Sequence, residues 1–203
     1  MNLRQQKAQL TKKKITEVAL KLFDERGYNE VSVDEIVRKS ETSKGAFYTH
    51  FKSKHEVFLN KFREIDQFYI QEIIGSVTQE HSSSAKLKKF LELQMDYIEK
   101  EVGWDVTRTI YVNELSADRD SYFLMSDRPL YEILKSILEE GKKLNEFRQD
   151  LTVDELMLIC LRTMRGILYD WSLKQGGFSL SQEQGVLFEI MINGIKNEKR
   201  FKS

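Results

Sequence analysis

The sequence predicts an all-α protein of about nine helices, and three observations carry that reading. Breakers are scarce: 203 residues contain one proline and ten glycines. Those are the residues that stop a helix, so long stretches are free to coil. Apolar residues recur at three- and four-residue spacing, which gathers them on one helical face. Capping boxes stand at Ser32/Glu35, Ser53/Glu56, Thr152/Glu155 and Ser181/Gln184, each before an apolar-periodic run. In each box the two side chains accept backbone N–H groups that the first helical turn leaves unpaired.

The elements follow in order. The first helix is expected from Leu3 to Arg26, with Ile15, Ala19, Leu22 and Phe23 as its apolar stripe. Gly27 ends it, where a left-handed residue is wanted. A short helix follows Ser32, with Val33, Ile36 and Val37 inward. A three-residue break, Glu41 to Ser43, leads into "KGAFYTH". A long helix after Ser53 carries Val57, Phe58, Phe62, Ile65, Tyr69 and Ile73 and is expected to end near Gly75. "QEHSSSAK" reads as a linker with Ser84 as the next cap, and that helix carries Leu87, Phe90, Leu91, Met95 and Ile98. "GWDVTRTIYVNEL" is a further helix, and Ser116 to Asp127 reads as irregular or a short turn of helix. Pro129 suits the first turn of the next helix, where its missing N–H costs nothing. That helix runs to about Lys143 before the loop "KLNEFRQDLT". The last two, from about Val153 to Lys174 and Gln182 to Lys199, are joined by "KQGGFSLS".

Composition sets the class. Hydrophobic residues are 40% and charged residues 32%, which suits a globular rather than a disordered chain. The polar, basic start has no apolar run behind it, and no stretch approaches the roughly 18 apolar residues of a membrane span. The expected compartment is the cytoplasm. Cys160 is the single cysteine, so no intrachain disulfide can form. It sits in "LMLICLRTM", as a buried thiol or a redox sensor. Net charge is zero, yet residues 1–56 hold 12 basic and 8 acidic residues while the remainder is net negative. A basic amino-terminal part on an acidic body points towards nucleic acid at that end.

Two short helices separated by a three-residue break have helix-turn-helix spacing. In such a unit the second helix enters the DNA major groove and its first residues meet the base edges. Lys44, Gly45 and Ala46 fall in its first turn, where small residues let backbone approach DNA. Phe47 and Phe51 are four apart and belong inward, whereas Lys44, Tyr48 and Thr49 belong outward. The same features would also suit an ordinary helical hairpin with a solvated basic face.

"LFDERGYNEVSVDEIVRKSETSKGAFYTHFKSKHEVF" resembles the DNA-binding domain of the TetR/AcrR family of bacterial transcriptional regulators. The resemblance covers about residues 10 to 60; the loop "EEGKKLNEFR" also suits the family's layout. It implies a helix-turn-helix domain over residues 1–52 and a helical ligand-binding and dimerisation domain over 53–203. It implies a homodimer on a palindromic operator, released by a small molecule held among the body helices. By register, Lys44, Gly45, Ala46 and Thr49 would face the groove. Ser43, Tyr48, His50 and Lys54 would hold phosphates, and Ser32 or Val33 would touch the backbone. The turn departs from the family's Gly-Val: here Glu41 must take a shape glycine favours, and Thr42, also counted among the contacts, replaces an apolar plug.

The carboxy-terminal helices suggest an interface. "LMLICLRTMRGILYDW" is apolar nearly all round, so it must bury two faces. Leu161, Leu168, Leu187, Met191 and Gly194 are the expected dimer positions, the alternative being that both helices lie inside one copy's core. Trp104, Tyr111 and Met164 are expected to line a ligand pocket, with Arg108 as an anchor for an anionic headgroup or as a salt-bridge partner. The competing reading of the body is a filled core, in a regulator or activator that takes no ligand. No Gly-rich phosphate loop, nucleophile elbow or metal-spaced histidine cluster occurs, so neither an enzyme nor a bound metal or cofactor is expected.

Overall fold

A computed structural model describes residues 3–115 and 121–197, without the side chain of Phe58. The part of the irregular stretch at 116–120 and the end of the last expected helix, 198–199, lie outside the described residues. The helices are α1 (Leu3–Arg26), α2 (Val33–Lys39), α3 (Lys44–His50), α4 (Lys54–Phe68), α5 (Ile74–Val77), α6 (Ser83–Tyr97), α7 (Trp104–Glu114), α8 (Pro129–Lys143), α9 (Val153–Leu173) and α10 (Leu180–Ile195). A π-helical turn, Tyr69–Ile73, joins α4 to α5, and another, Ile98–Val102, extends α6. Counting α4 and α5 as one run, the described residues form nine α-helical rods, as the breaker count implies.

The chain divides into two compact units: Met1–Ile65 with Asp105–Asp120, and Asp66–Trp104 with Ser121–Ser203. In the first, α1, α2 and α3 pack on one another. Ile15, Ala19, Phe23, Ile36, Phe47 and Phe51 are buried there. Gly27 ends α1 with φ of 84°, the conformation a residue with Cβ avoids. In the second unit α6 packs on α8 and α10, and α9 packs on the same two, closing a ring of four helices. Leu87, Phe90, Leu91, Leu134, Leu138, Leu156, Cys160 and Leu180 are buried inside this unit. Burial pushes the Cys160 thiol up to about 12, so it stays protonated and packs as a small apolar side chain.

The loop after α8 is fastened by a close approach. A Cβ on Gly141 would stand 2.1 Å from the Phe147 ring, which is fully buried. Asn145 turns left-handed with φ of 59°, and Arg148 N–H donates to the Ile195 carbonyl at 2.9 Å, tying the loop to the end of α10.

Two helix starts differ from the sequence pattern. The cap of α6 is Ser82, whose hydroxyl accepts from Ala85 N–H at 3.1 Å, not Ser84. Ser84 and Ser83 instead donate their N–H groups to the Glu146 carboxylate, both at 3.1 Å. α10 begins at Leu180, two residues before expectation, and Gln184 is buried. Glu99 takes the capping role there: its carboxylate accepts from Ser181 N–H at 2.9 Å and Ser179 Oγ at 3.3 Å. Burial alone would raise both carboxyls; their N–H and hydroxyl donors outweigh it and hold Glu99 and Glu146 below the usual range. By contrast, Thr152/Glu155 closes a full capping box on α9.

Candidate nucleic-acid interface

The α2–turn–α3 unit is built by local hydrogen bonds. Ser32, extended at φ −95° and ψ 157°, caps α2 by accepting from Glu35 N–H at 3.2 Å. Ser43 does the same for α3, accepting from Ala46 N–H at 3.0 Å. Between them Glu41 is left-handed, with φ of 51°. Glu41 N–H donates to the Arg38 carbonyl at 3.2 Å and Thr42 N–H to the Val37 carbonyl at 3.0 Å. Those two bonds define a Schellman end, in which the left-handed position usually belongs to glycine. Glutamate holds it with help from outside the turn: Lys14 Nζ lies 2.8 Å from its carboxylate. That hydrogen bond and charge hold the Glu41 carboxyl below its usual range. Thr42, in place of an apolar plug, shares a hydrogen bond with the buried Ser40 hydroxyl at 2.8 Å.

α3 divides its residues by face. Phe47 and Phe51 are buried with ring centroids 5.5 Å apart. Lys44, Gly45, Tyr48 and Thr49 are exposed, Tyr48 by 56%, and Ala46 and His50 are half-buried. A Cβ on Gly45 would meet nothing closer than Ser43 Oγ at 3.8 Å. The fold itself therefore has no need of glycine there; the clearance lies outside the protein. Lys44 Nζ reaches Asp34 at 2.6 Å, and that hydrogen bond and charge raise its pKa. Thr49 Oγ1 donates to the Gly45 carbonyl at 2.7 Å. Burial, then the Lys12 charge, lowers the His50 pKa and favours its neutral form.

Two dents accompany α3. One is lined by Asn29 to Val33, Tyr48 and Lys52 to Lys54, and so gathers Ser32, Val33, Tyr48 and Lys54. The other is lined by Gln5, Ala8, Gln9, Lys12 and His50. Lys54 differs from expectation in one respect: its ammonium turns onto backbone. It donates to the carbonyls of Tyr28 at 2.7 Å, Asn29 at 3.3 Å and Val31 at 2.9 Å. It also lies 4.3 Å from the centre of the Tyr28 ring. Lys54 thus fastens the α1–α2 loop.

Arg108 and Tyr111 fall in the first unit, Trp104 and Met164 in the second. Arg108 Nε stands 3.8 Å from Asp24, so its salt-bridge role is realised. The Trp104 indole packs under Gly176, where a Cβ would come within 2.7 Å of Cδ1, and Met164 is buried.

Of the expected dimer positions, Leu161, Leu168 and Met191 are buried within their own unit. Leu187 and Gly194 are exposed, and with Leu158, Tyr169, Leu173, Val186 and Ile190 they form an open apolar face on α9 and α10.

A buried cluster in the second unit was missed by sequence reading. Arg128 Nη2 pairs with Asp66 Oδ1 at 3.0 Å, their side chains 8% and 11% exposed. Tyr122 Oη donates to the same carboxylate at 2.6 Å. Asp66 and Arg128 are 62 positions apart, and no local spacing announces such a pair.

Similarity to known proteins agrees with the geometry. Residues 15–60 match the model of the bacterial regulatory proteins, tetR family. The fatty acid metabolism regulator protein of Bacillus subtilis is 18% identical over 184 residues, spanning 91% of this chain and 95% of that protein. The HTH-type transcriptional regulator QacR of Staphylococcus aureus is 52% identical over 48 residues, 24% of this chain and 26% of its own. The crystal structure of the transcriptional regulator FadR from Bacillus subtilis in complex with stearoyl-CoA superposes with a TM-score of 0.72 at 19% identity, covering 90% of this chain and 98% of that one. The helix-turn-helix of residues 15–60 is thus that of the bacterial regulatory proteins, tetR family, and the chain as a whole shares the all-helical fold of the FadR structure.

Proposed function

We propose that the protein is a homodimeric repressor that binds a palindromic operator beside its own gene and is released by a small, largely apolar ligand. The observation that carries this reading is the division of α3: aromatics buried, and Lys44, Gly45, Tyr48 and Thr49 open on one side, where a Cβ on Gly45 would meet nothing nearer than Ser43 Oγ at 3.8 Å. In this reading Lys44, Gly45, Ala46 and Thr49 face the bases. Ser43, Tyr48 and His50 hold phosphates, with Ser32, Val33 and Thr42 at the edges. Residues 1–52 act as the DNA-binding domain and 53–203 as the ligand-binding and dimerisation domain.

Two features support the dimer and the ligand. The exposed stripe of Leu158, Tyr169, Leu173, Val186, Leu187 and Ile190 is a surface that water solvates poorly, and a second copy would cover it. Within the second unit the buried Gln94 Oε1 has no hydrogen-bond partner. Such an orphan costs about 1–3 kcal/mol, which a ligand donor would offset. The ligand need only bind the DNA-free conformer better than the DNA-bound one.

The test is a gel shift against the intergenic DNA flanking the gene, repeated with stearoyl-CoA, the ligand in the Bacillus subtilis FadR crystal, as first probe. A retarded band that this probe releases supports the full reading. A band that survives every acyl chain length favours the ligand-independent regulator, and no band refutes an operator at that site.

A further inference from the structure

The first turns of α1 bury no side chain within the fold. Residues 3–10 are all exposed, and the first deeply buried side chain is Ile15. The amino-terminal half of α1 carries Arg4, Lys7, Lys12, Lys13 and Lys14 and no acidic residue. Basic charge at a helix start opposes the helix dipole, whose positive end lies there. Burial does not stabilise residues 3–10, and Arg4 and Lys7 sit near the unfavourable end of the dipole, so the basic charge of this segment is unaccounted for within the fold.

The structure provides a place for an anion. Gln5, Ala8, Gln9 and Lys12, spaced to share one face of α1, form an open groove with His50 at the end of α3. Tyr48 lines the other dent. Residues two apart on a helix point about 160° away from each other, so the two dents flank α3 on opposite sides. A recognition helix in the major groove has a phosphate backbone on each side of it. The Tyr48 side serves one backbone and the Lys12–His50 side faces the other.

We propose that the groove between α1 and His50 is a second phosphate-binding site, in which Lys12 supplies the charge and Gln9 and His50 supply hydrogen bonds. The inference rests on α3 docking in the major groove. Lys12 now stands 5.8 Å from the centre of the Phe51 ring, close enough to swing towards a bound phosphate. The phosphate would offset the Lys12 charge that, after burial, lowers the His50 pKa.

The experiment measures binding to a short random-sequence duplex between about 50 and 200 mM salt, where each neutralised phosphate adds about 0.9 to the log–log slope. Lys12→Gln is expected to flatten the slope by about 0.9 and weaken binding several-fold, with an unchanged melting temperature. Lys13→Gln, whose residue instead pairs with Glu17 at 3.8 Å, is expected to leave the slope intact. An unchanged slope for Lys12→Gln, or equal flattening by both variants, overturns the groove while leaving DNA docking in place. Failure of the wild-type protein to bind the duplex at any salt would remove the docking itself.

Discussion

The α3 face of the head and the α9–α10 face of the body are both open, but with opposite chemistry. On α3 the open side chains are Lys44, Tyr48 and Thr49, with the aromatic anchors Phe47 and Phe51 turned inside. On α9 and α10 the open side chains include Leu158, Leu173, Val186 and Ile190, while Cys160, Met164 and Phe188 are turned inside. A polar face is content with water until a polyanion arrives. An apolar stripe of that length is not, which is why the same molecule reads as having two different kinds of partner.

The largest effect should come from charging the apolar face. Leu187→Glu with Ile190→Glu is expected to leave single copies in sedimentation and to lower operator affinity more than about 100-fold, because two linked heads gain from effective concentration. Persistence of the dimer would move the interface elsewhere. Next is the ion pair inside the body. Arg128→Met strands the Asp66 carboxylate in a buried site and should cost about 3–5 kcal/mol in urea denaturation, most of it recovered by adding Asp66→Asn. Smaller again is Lys54→Ala. Removing the donor to three loop carbonyls should cost about 1–2 kcal/mol while the salt dependence of DNA binding stays unchanged. A flatter slope with intact stability would return Lys54 to the phosphate contacts. The smallest effect belongs to Glu41→Gly. Relief of the left-handed strain and loss of the Lys14 pair oppose each other, so the melting temperature should hardly move and DNA binding should persist.

The head was legible in the sequence because its determinants are local. Ser32 and Ser43 cap helices whose N–H groups lie three residues on, and Glu41 takes the left-handed shape that its place between two short helices demands. The body was legible in outline but not in azimuth. A helix apolar nearly all round does not reveal which side its own core will take; here Leu161 and Leu168 are buried and Leu158 and Tyr169 exposed. Asp66 with Arg128, and Glu99 at the start of α10, depend on residues brought together from 62 and 82 positions apart. No spacing rule reaches that far. The π turns at Tyr69–Ile73 and Ile98–Val102 also left no composition signal.

The carboxylate caps of α6 and α10 give the two helices different histories on the ribosome. α10 is made after Glu99, so its capping group already exists when Ser181 emerges. α6 is made 62 residues before Glu146, which receives the Ser84 N–H. At about 5–20 residues per second, the start of α6 waits some 3–12 s for its second cap, with the Ser82 hydroxyl alone holding the Ala85 amide. The first helix of the four-helix ring is thus born incomplete, and its completion depends on the loop that Gly141 and Phe147 fasten.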